Sequence, residues 1–226
     1  MSTNPTLIVM LTQHDRTVPN ANEIFDACKN SRAKIWGFKD QGLSQEQMQA
    51  LFSRMRSYGK STALEVVAYT ENEGLRAAKL AQKCGCDYLM GTCFFDSIHS
   101  FCKEHSIRYL PFVGQVEGRP SVLGGSIDEI LNQAQSYAEK GVYGIDLLSY
   151  RYTGDALKLN RQIVQKISIP VCIAGSINSF DRLDEIRRLS PWAFTVGGAF
   201  FENKFGKSFA GQIDRVVEYI EKDSES

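Results

Sequence analysis

Four charged side chains fall in or beside stretches that are otherwise apolar. Lys39 ends the run AKIWGFK, Glu65 interrupts ALEVVAY, Asp146 interrupts YGIDLLSY, and His14-Asp15 closes the segment that begins TLIVMLT. An ammonium drawn out of water must be paired or must lose its proton, because an isolated buried charge is expensive. Two chemistries follow for Lys39. Protonated, it would stabilise a developing enolate oxygen while a carboxylate removes the neighbouring proton. Neutral, it would form a Schiff base for aldol cleavage, which burial favours unless Glu65 keeps it charged. Glu65 is its natural partner on the next strand, and an ion pair that only fixes two strands is the competing reading. Asp146 reads as a general base or as an acceptor for a substrate hydroxyl or for Arg151. Asp15 is the further acid-base candidate, so the catalytic set is Lys39, Glu65, Asp146 and Asp15. His14 reads as a turn residue or a substrate contact.

These residues need a scaffold. Eight short runs rich in β-branched and aromatic residues start near Thr6, Ala33, Ala63, Cys86, Ile107, Tyr143, Ile169 and Trp192. Nearly all are separated by amphipathic helical patterns, and most are continuously apolar, as in a parallel sheet covered on both faces. Ser44 with Gln47 and Ser126 with Glu129 fit capping boxes, and Gly59, Gly85 and Gly141 stand where helices need a left-handed end. Met48, Leu51, Phe52 and Met55 form one core stripe. Eight strand-helix units predict an α/β fold, a single (β/α)8 TIM barrel over residues 1–222 with a frayed tail at 223–226; an open doubly wound sheet is the competitor. If Lys39 faces the barrel interior, Ile35 and Gly37 do too, and Trp36 and Phe38 face the helices.

In such a barrel, chemistry sits at the C-terminal strand ends, and a phosphate is often held by the loops after the last two strands. There the chain carries AGSIN and VGGAFF, which place Gly175, Ser176, Gly197 and Gly198 as a phosphate grip. Glycine lets the backbone approach an anion closely, and a following helix N-terminus adds partial positive charge. A tight turn alone would also explain each glycine. Gln115 and Arg151, after strands 5 and 6, are the further substrate-binding candidates with His14, a guanidinium fork being suited to a planar anion.

The segment IPVCIAGSINSFDRLDEIRRLSPWAFTVGGAFFENKF resembles the C-terminal quarter of ribulose-phosphate-binding barrels, a phosphate-binding TIM-barrel superfamily. The likeness is to histidine-biosynthesis isomerases and sugar-phosphate epimerases, and KGVYGIDLLSYRYTGD is faintly similar to their strand 6. The resemblance implies a small phosphorylated, sugar-like substrate. The chain lacks the Asp-Leu-Lys opening and second catalytic aspartate of the histidine-pathway enzymes, and the Asp-x-Lys-x-x-Asp pattern of the decarboxylase branch. The resemblance therefore stops at the superfamily.

Composition excludes other classes. The 226 residues are 43% apolar with 26 basic and 26 acidic side chains, and no basic stripe carries interleaved aromatics, so nucleic acid is not expected as a partner. The first apolar run is too short for a signal peptide, and nothing approaches the roughly 20 apolar residues of a membrane span. A cytoplasmic protein with no membrane partner is expected; a homodimer is compatible with so short a barrel. The six cysteines, with no C-x-x-C pair, read as reduced buried thiols. No dinucleotide fingerprint, P-loop or spaced metal-ligand set is present. The one metal option is a divalent ion shared by Glu65, Asp146 and Asp15, should they converge. Three functional readings remain: an isomerase, epimerase or related lyase acting by proton transfer beside a carbonyl; a Lys39 aldolase; and a non-catalytic regulator that binds a phosphometabolite.

Overall fold

The computed structural model describes residues 4–222, so the expectation for the tail at 223–226 lies outside the described residues. All eight expected runs become parallel strands: β1 (Thr6–Met10), β2 (Ile35–Lys39), β3 (Ser61–Ala68), β4 (Tyr88–Thr92), β5 (Arg108–Leu110), β6 (Ile145–Leu147), β7 (Val171–Ile173) and β8 (Ala193–Val196). Their order in the sheet is β6-β7-β8-β1-β2-β3-β4-β5. The ring closes between β5 and β6 through a bridge of Phe112 with Asp146, where the Asp146 N–H donates to Pro111 O at 2.9 Å. Closure decides against an open doubly wound sheet: the fold is a single-domain (β/α)8 barrel.

The helix ends follow the sequence signals. Ser44 and Ser126 each cap a helix in a reciprocal capping box with Gln47 and Glu129, and a third box, Thr70 with Glu73, starts the helix after β3. Gly85 ends that helix in the left-handed region at φ 66°, a conformation in which a β-carbon is crowded.

Side chains alternate across β2 as expected. Ile35 packs in the lumen with Ile8, Met10, Ala63, Met90, Leu110, Cys172 and Ala193. Trp36 and Phe38 face outward, where Phe25 meets Trp36 edge-on at 5.2 Å and Phe38 stacks on Phe52 at 4.2 Å. The N-terminal mouth is plugged by aromatics: Tyr88, Tyr143 and Trp192 contact one another at 5.5–5.8 Å, and Arg108 caps Tyr88, its guanidinium donating to the phenol at 2.6 Å. With one end sealed, ligand access is confined to the other.

Two antiparallel hairpins ornament that open end. One, Thr12–Gln13 with Arg16–Thr17, follows β1, and the other, Gln115–Glu117 with Val122–Gly124, follows β5. The apolar-run count treats both as loops, because each arm is only two or three residues long.

Candidate active site

A cavity of about 350 Å³ opens at the C-terminal strand ends. It is lined by residues from both halves of the expected site: His14, Asp15, Lys39, Glu65 and Arg151, together with Gly175, Ser176, Gly197 and Gly198. Lys39 and Glu65 lie more than 100 positions before Gly175 in the chain, but the sheet order makes them neighbours around one rim.

Lys39 is placed by its strand and by the first hairpin. The buried Thr17 hydroxyl accepts from the Lys39 N–H at 3.0 Å and donates to the Lys39 C=O at 2.6 Å, which clamps the end of β2. The hairpin turn is made by His14 and Asp15, both left-handed at φ 50° and 59°. Two consecutive left-handed residues match the inverse turn that best joins twisted strands, yet neither is glycine, so the turn stores strain of roughly 1 kcal/mol or more per residue. The turn carries Asp15 to Lys39: the ammonium donates to Asp15 Oδ1 at 2.8 Å and lies 3.3 Å from Glu65 Oε1. Burial alone would pull Lys39 down. The Glu65 charge and the Asp15 contact more than offset it and hold the ammonium above its usual value. Asp15 feels the reverse balance: partial burial pushes it up, but Lys39, helped by Arg151 and Arg119, brings it below the usual carboxylate range.

Asp146 departs from the expectation. It is 1% exposed, is absent from the cavity lining, and both of its carboxyl oxygens lack a hydrogen-bond partner. No pairing with Arg151 forms. Burial, reinforced by the Glu65 charge and only partly opposed by Lys39, raises it well above the ordinary aspartate range. The reason is positional: Asp146 lies on the strand at the closure seam, in the lumen, below the level at which ligand enters. Folding thus binds a proton that the unfolded chain releases above pH about 4. Wild-type stability should therefore fall as pH rises from there toward the folded value, by up to about 1.4 kcal/mol per pH unit. Asp146→Asn removes this dependence. Melting curves at pH 4 to 8 should show the variant gaining on wild type as pH rises; parallel curves would mean that Asp146 is ionised in the fold.

Metal ligation also fails to assemble. Asp15 and Glu65 both turn to Lys39, and among the described residues no group of three or more His, Cys, Asp or Glu is placed to hold a metal ion. Gln115 sits exposed on the second hairpin, outside the cavity lining, whereas that hairpin's tip contributes Pro120 and Ser121. Arg119, beside them, donates to Val67 O at 3.0 Å. The cysteines are free, and the thiol of Cys93 is pushed up by burial, which argues against a thiolate nucleophile.

The opposite wall is the glycine-bearing pair of loops. Gly175 and Ser176 are both left-handed, at φ 86° and 55°, and the serine pays for that geometry with strain. The stem of Arg151 lies against Gly175, where an added β-carbon would stand 3.1 Å from its Cγ. Arg151 itself lines the cavity and makes no side-chain hydrogen bond or ion pair among the described residues. Arg182, from the first turn of the following helix Phe180–Leu189, braces the loop by donating to Ser176 O and, at 3.2 Å, to Asn178 Oδ1. A β-carbon on Gly198 would meet nothing within 4 Å, so this residue leaves open space at the wall. Thr12, Asn178 and Glu202 also line the cavity. Of these, only Thr12 has a sequence signal: the alternation Ile8, Met10, Thr12 points it inward.

No family model matches the sequence, and no curated protein matches it. Solved structures match the fold across nearly the whole chain. Orotidine 5'-phosphate decarboxylase from Pyrococcus horikoshii OT3 superimposes with a TM-score of 0.70 at 12% identity, over 96% of this chain and 100% of that one. N-(5'-phosphoribosyl)anthranilate isomerase from Pyrococcus furiosus gives 0.64 at 13% over 96% and 98%, and N-acetylmannosamine-6-phosphate 2-epimerase from Clostridium perfringens gives 0.65 at 12% over 88% of each chain. The shared feature is the barrel. The similarity read from the C-terminal quarter thus extends, as fold, around the whole ring. No helix among the described residues is long and apolar enough to cross a membrane.

Proposed function

We propose that this barrel is an enzyme that moves a proton next to a carbonyl of a small phosphorylated, sugar-like metabolite, as an isomerase, epimerase or related lyase. The observation that carries the proposal is the Lys39 ammonium, held protonated between two carboxylates on the same rim as two glycine-bearing loops. An ammonium has three N–H donors; Asp15 and Glu65 use two, which leaves one for a substrate oxygen. That donor would stabilise the negative charge that grows on a carbonyl oxygen as the neighbouring C–H is broken. Glu65, on the cavity wall beside Lys39, takes the role of base, and Asp15, drawn below the usual carboxylate range by its Lys39 contact, holds the ammonium in place. The phosphate would rest against Gly175, Ser176, Gly197 and Gly198, with Arg151 free to close on it. The names of the matched barrel enzymes include phosphorylated compounds, which is consistent with this placement.

The aldolase reading needs a lysine that loses its proton readily, and Lys39 is shifted the other way. The proton-transfer reading predicts hydrogen exchange. Incubated in D2O with a panel of phosphorylated ketoses and aldoses, the protein should wash deuterium into the position beside the carbonyl of at least one, seen as loss of its proton NMR signal. Tight binding with no exchange across the panel would instead favour a regulator that only holds its ligand.

A further inference from the structure

The ring order places the functional groups in a line. From β7 to β3 the rim carries Gly175 and Ser176, then Gly197 and Gly198, then the end of β1, then Lys39, then Glu65. The end of β1 therefore stands between the phosphate grip and the ammonium, and the hairpin that follows it begins there with Thr12. Its backbone oxygen would lie 3.1 Å from a β-carbon on Gly197, and its neighbour below in the lumen, Met10, is paired in register with Gly37 on the Lys39 strand. Thr12 lines the cavity and is 8% exposed, yet its hydroxyl has no hydrogen-bond partner. A buried hydroxyl normally finds a partner, and an orphan beside a cavity is a place where a ligand can supply one. The hydroxyl is buried, and one staggered rotation about Cα–Cβ exchanges it with the methyl group.

We infer that Thr12 is a specificity-determining contact for a hydroxyl carried between the phosphate and the carbonyl, so that the ligand class is a polyhydroxy sugar phosphate and not a phosphate ester without that group. The inference rests on the proposed function, which supplies the two ends of the ligand. Two interstrand spacings separate β8 from β2, about 10 Å, which leaves room for a short hydroxylated carbon chain from grip to ammonium. A site built to bond a hydroxyl discriminates against the ligand that lacks it, because its own polar group is then left unpaired.

Calorimetric titration with ribulose 5-phosphate, dihydroxyacetone phosphate and inorganic phosphate tests this. The first has hydroxyls between carbonyl and phosphate and the second has none. Wild type should bind ribulose 5-phosphate about fivefold to tenfold more tightly than dihydroxyacetone phosphate. Thr12→Val, which keeps the shape and removes only an unpartnered hydroxyl, should fold normally by circular dichroism, lose that preference, and bind inorganic phosphate as wild type does. Thr12→Ser should keep it. A preference that survives in Thr12→Val, or no preference in wild type, overturns the role of Thr12 while leaving the phosphate grip intact. Failure of wild type to bind all three compounds removes the grip itself, and both readings fall together.

Discussion

Gly198→Asp is expected to abolish binding of phosphate esters while leaving the melting temperature nearly unchanged. The two halves of that result have separate causes. A β-carbon at this position meets nothing within 4 Å, and the residue opens the short helix Gly198–Phe201, where an acidic side chain is tolerated. The new carboxylate would stand in the cavity where the phosphate is to sit. Two like charges about 4 Å apart at an effective dielectric near 20 repel by about 4 kcal/mol, so affinity should fall by at least about 100-fold even after partial screening. Titration of wild type and variant with inorganic phosphate, alongside thermal melting of both, checks it. Equal affinities would remove the phosphate from this wall. Gly175 could not serve the same purpose, since its φ of 86° and the Arg151 stem against it would make any side chain costly to the fold.

Lys39→Met should have the other large effect, on both reaction and stability. Without the ammonium, deuterium exchange beside the carbonyl should slow by about 10²–10³-fold, the usual cost of losing an oxyanion-stabilising donor. Asp15 and Glu65 would be left facing each other. A buried charge stripped of its partner costs about 3–5 kcal/mol; here about 2 kcal/mol is expected, because the Asp15 side chain is 37% exposed and water screens it. The loss should depend on pH. In wild type, Asp15 is lowered, so its stabilising contribution is present above the unfolded aspartate value and fades as pH falls through the folded one. Lys39 is raised, so its contribution persists until pH climbs past the ordinary lysine range. The stability gap between wild type and Lys39→Met should therefore be widest at neutral pH and narrow below about pH 4, where the orphaned carboxylates take up protons. A variant that exchanges as fast as wild type would reduce Lys39 to a structural ion pair.

The barrel was legible because its determinants are local. Apolar runs of strand length, capping serines such as Ser44 and Ser126, and glycines such as Gly85 repeat often enough to count eight units and to rank the last two loops. Lys39 and Glu65 were legible for a related reason, since a charge within an apolar run on a parallel strand has few places to go. Asp146 obeyed the same pattern and still differed. Its height in the lumen depends on how strands stagger around the ring, which no single run encodes. The partnership of Asp15 with Lys39 depends on a strained two-residue turn of histidine and aspartate, lacking the usual asparagine-glycine signal. Gln115 fell outside the cavity because the segment after β5 folds into a hairpin whose arms are too short to read as strands. The alternation Ile8, Met10, Thr12 points Thr12 inward, but the lack of a partner for its hydroxyl depends on the tertiary packing.

A phosphate held by the loops after β7 and β8, facing Lys39, is the placement on which the proposed reaction rests. It is tested most directly by a crystal structure of the protein soaked with ribulose 5-phosphate. Tetrahedral density is expected against Gly175, Ser176, Gly197 and Gly198, with the carbonyl end within hydrogen-bonding distance of the Lys39 ammonium. Phosphate density anywhere else on an otherwise unchanged barrel would contradict it.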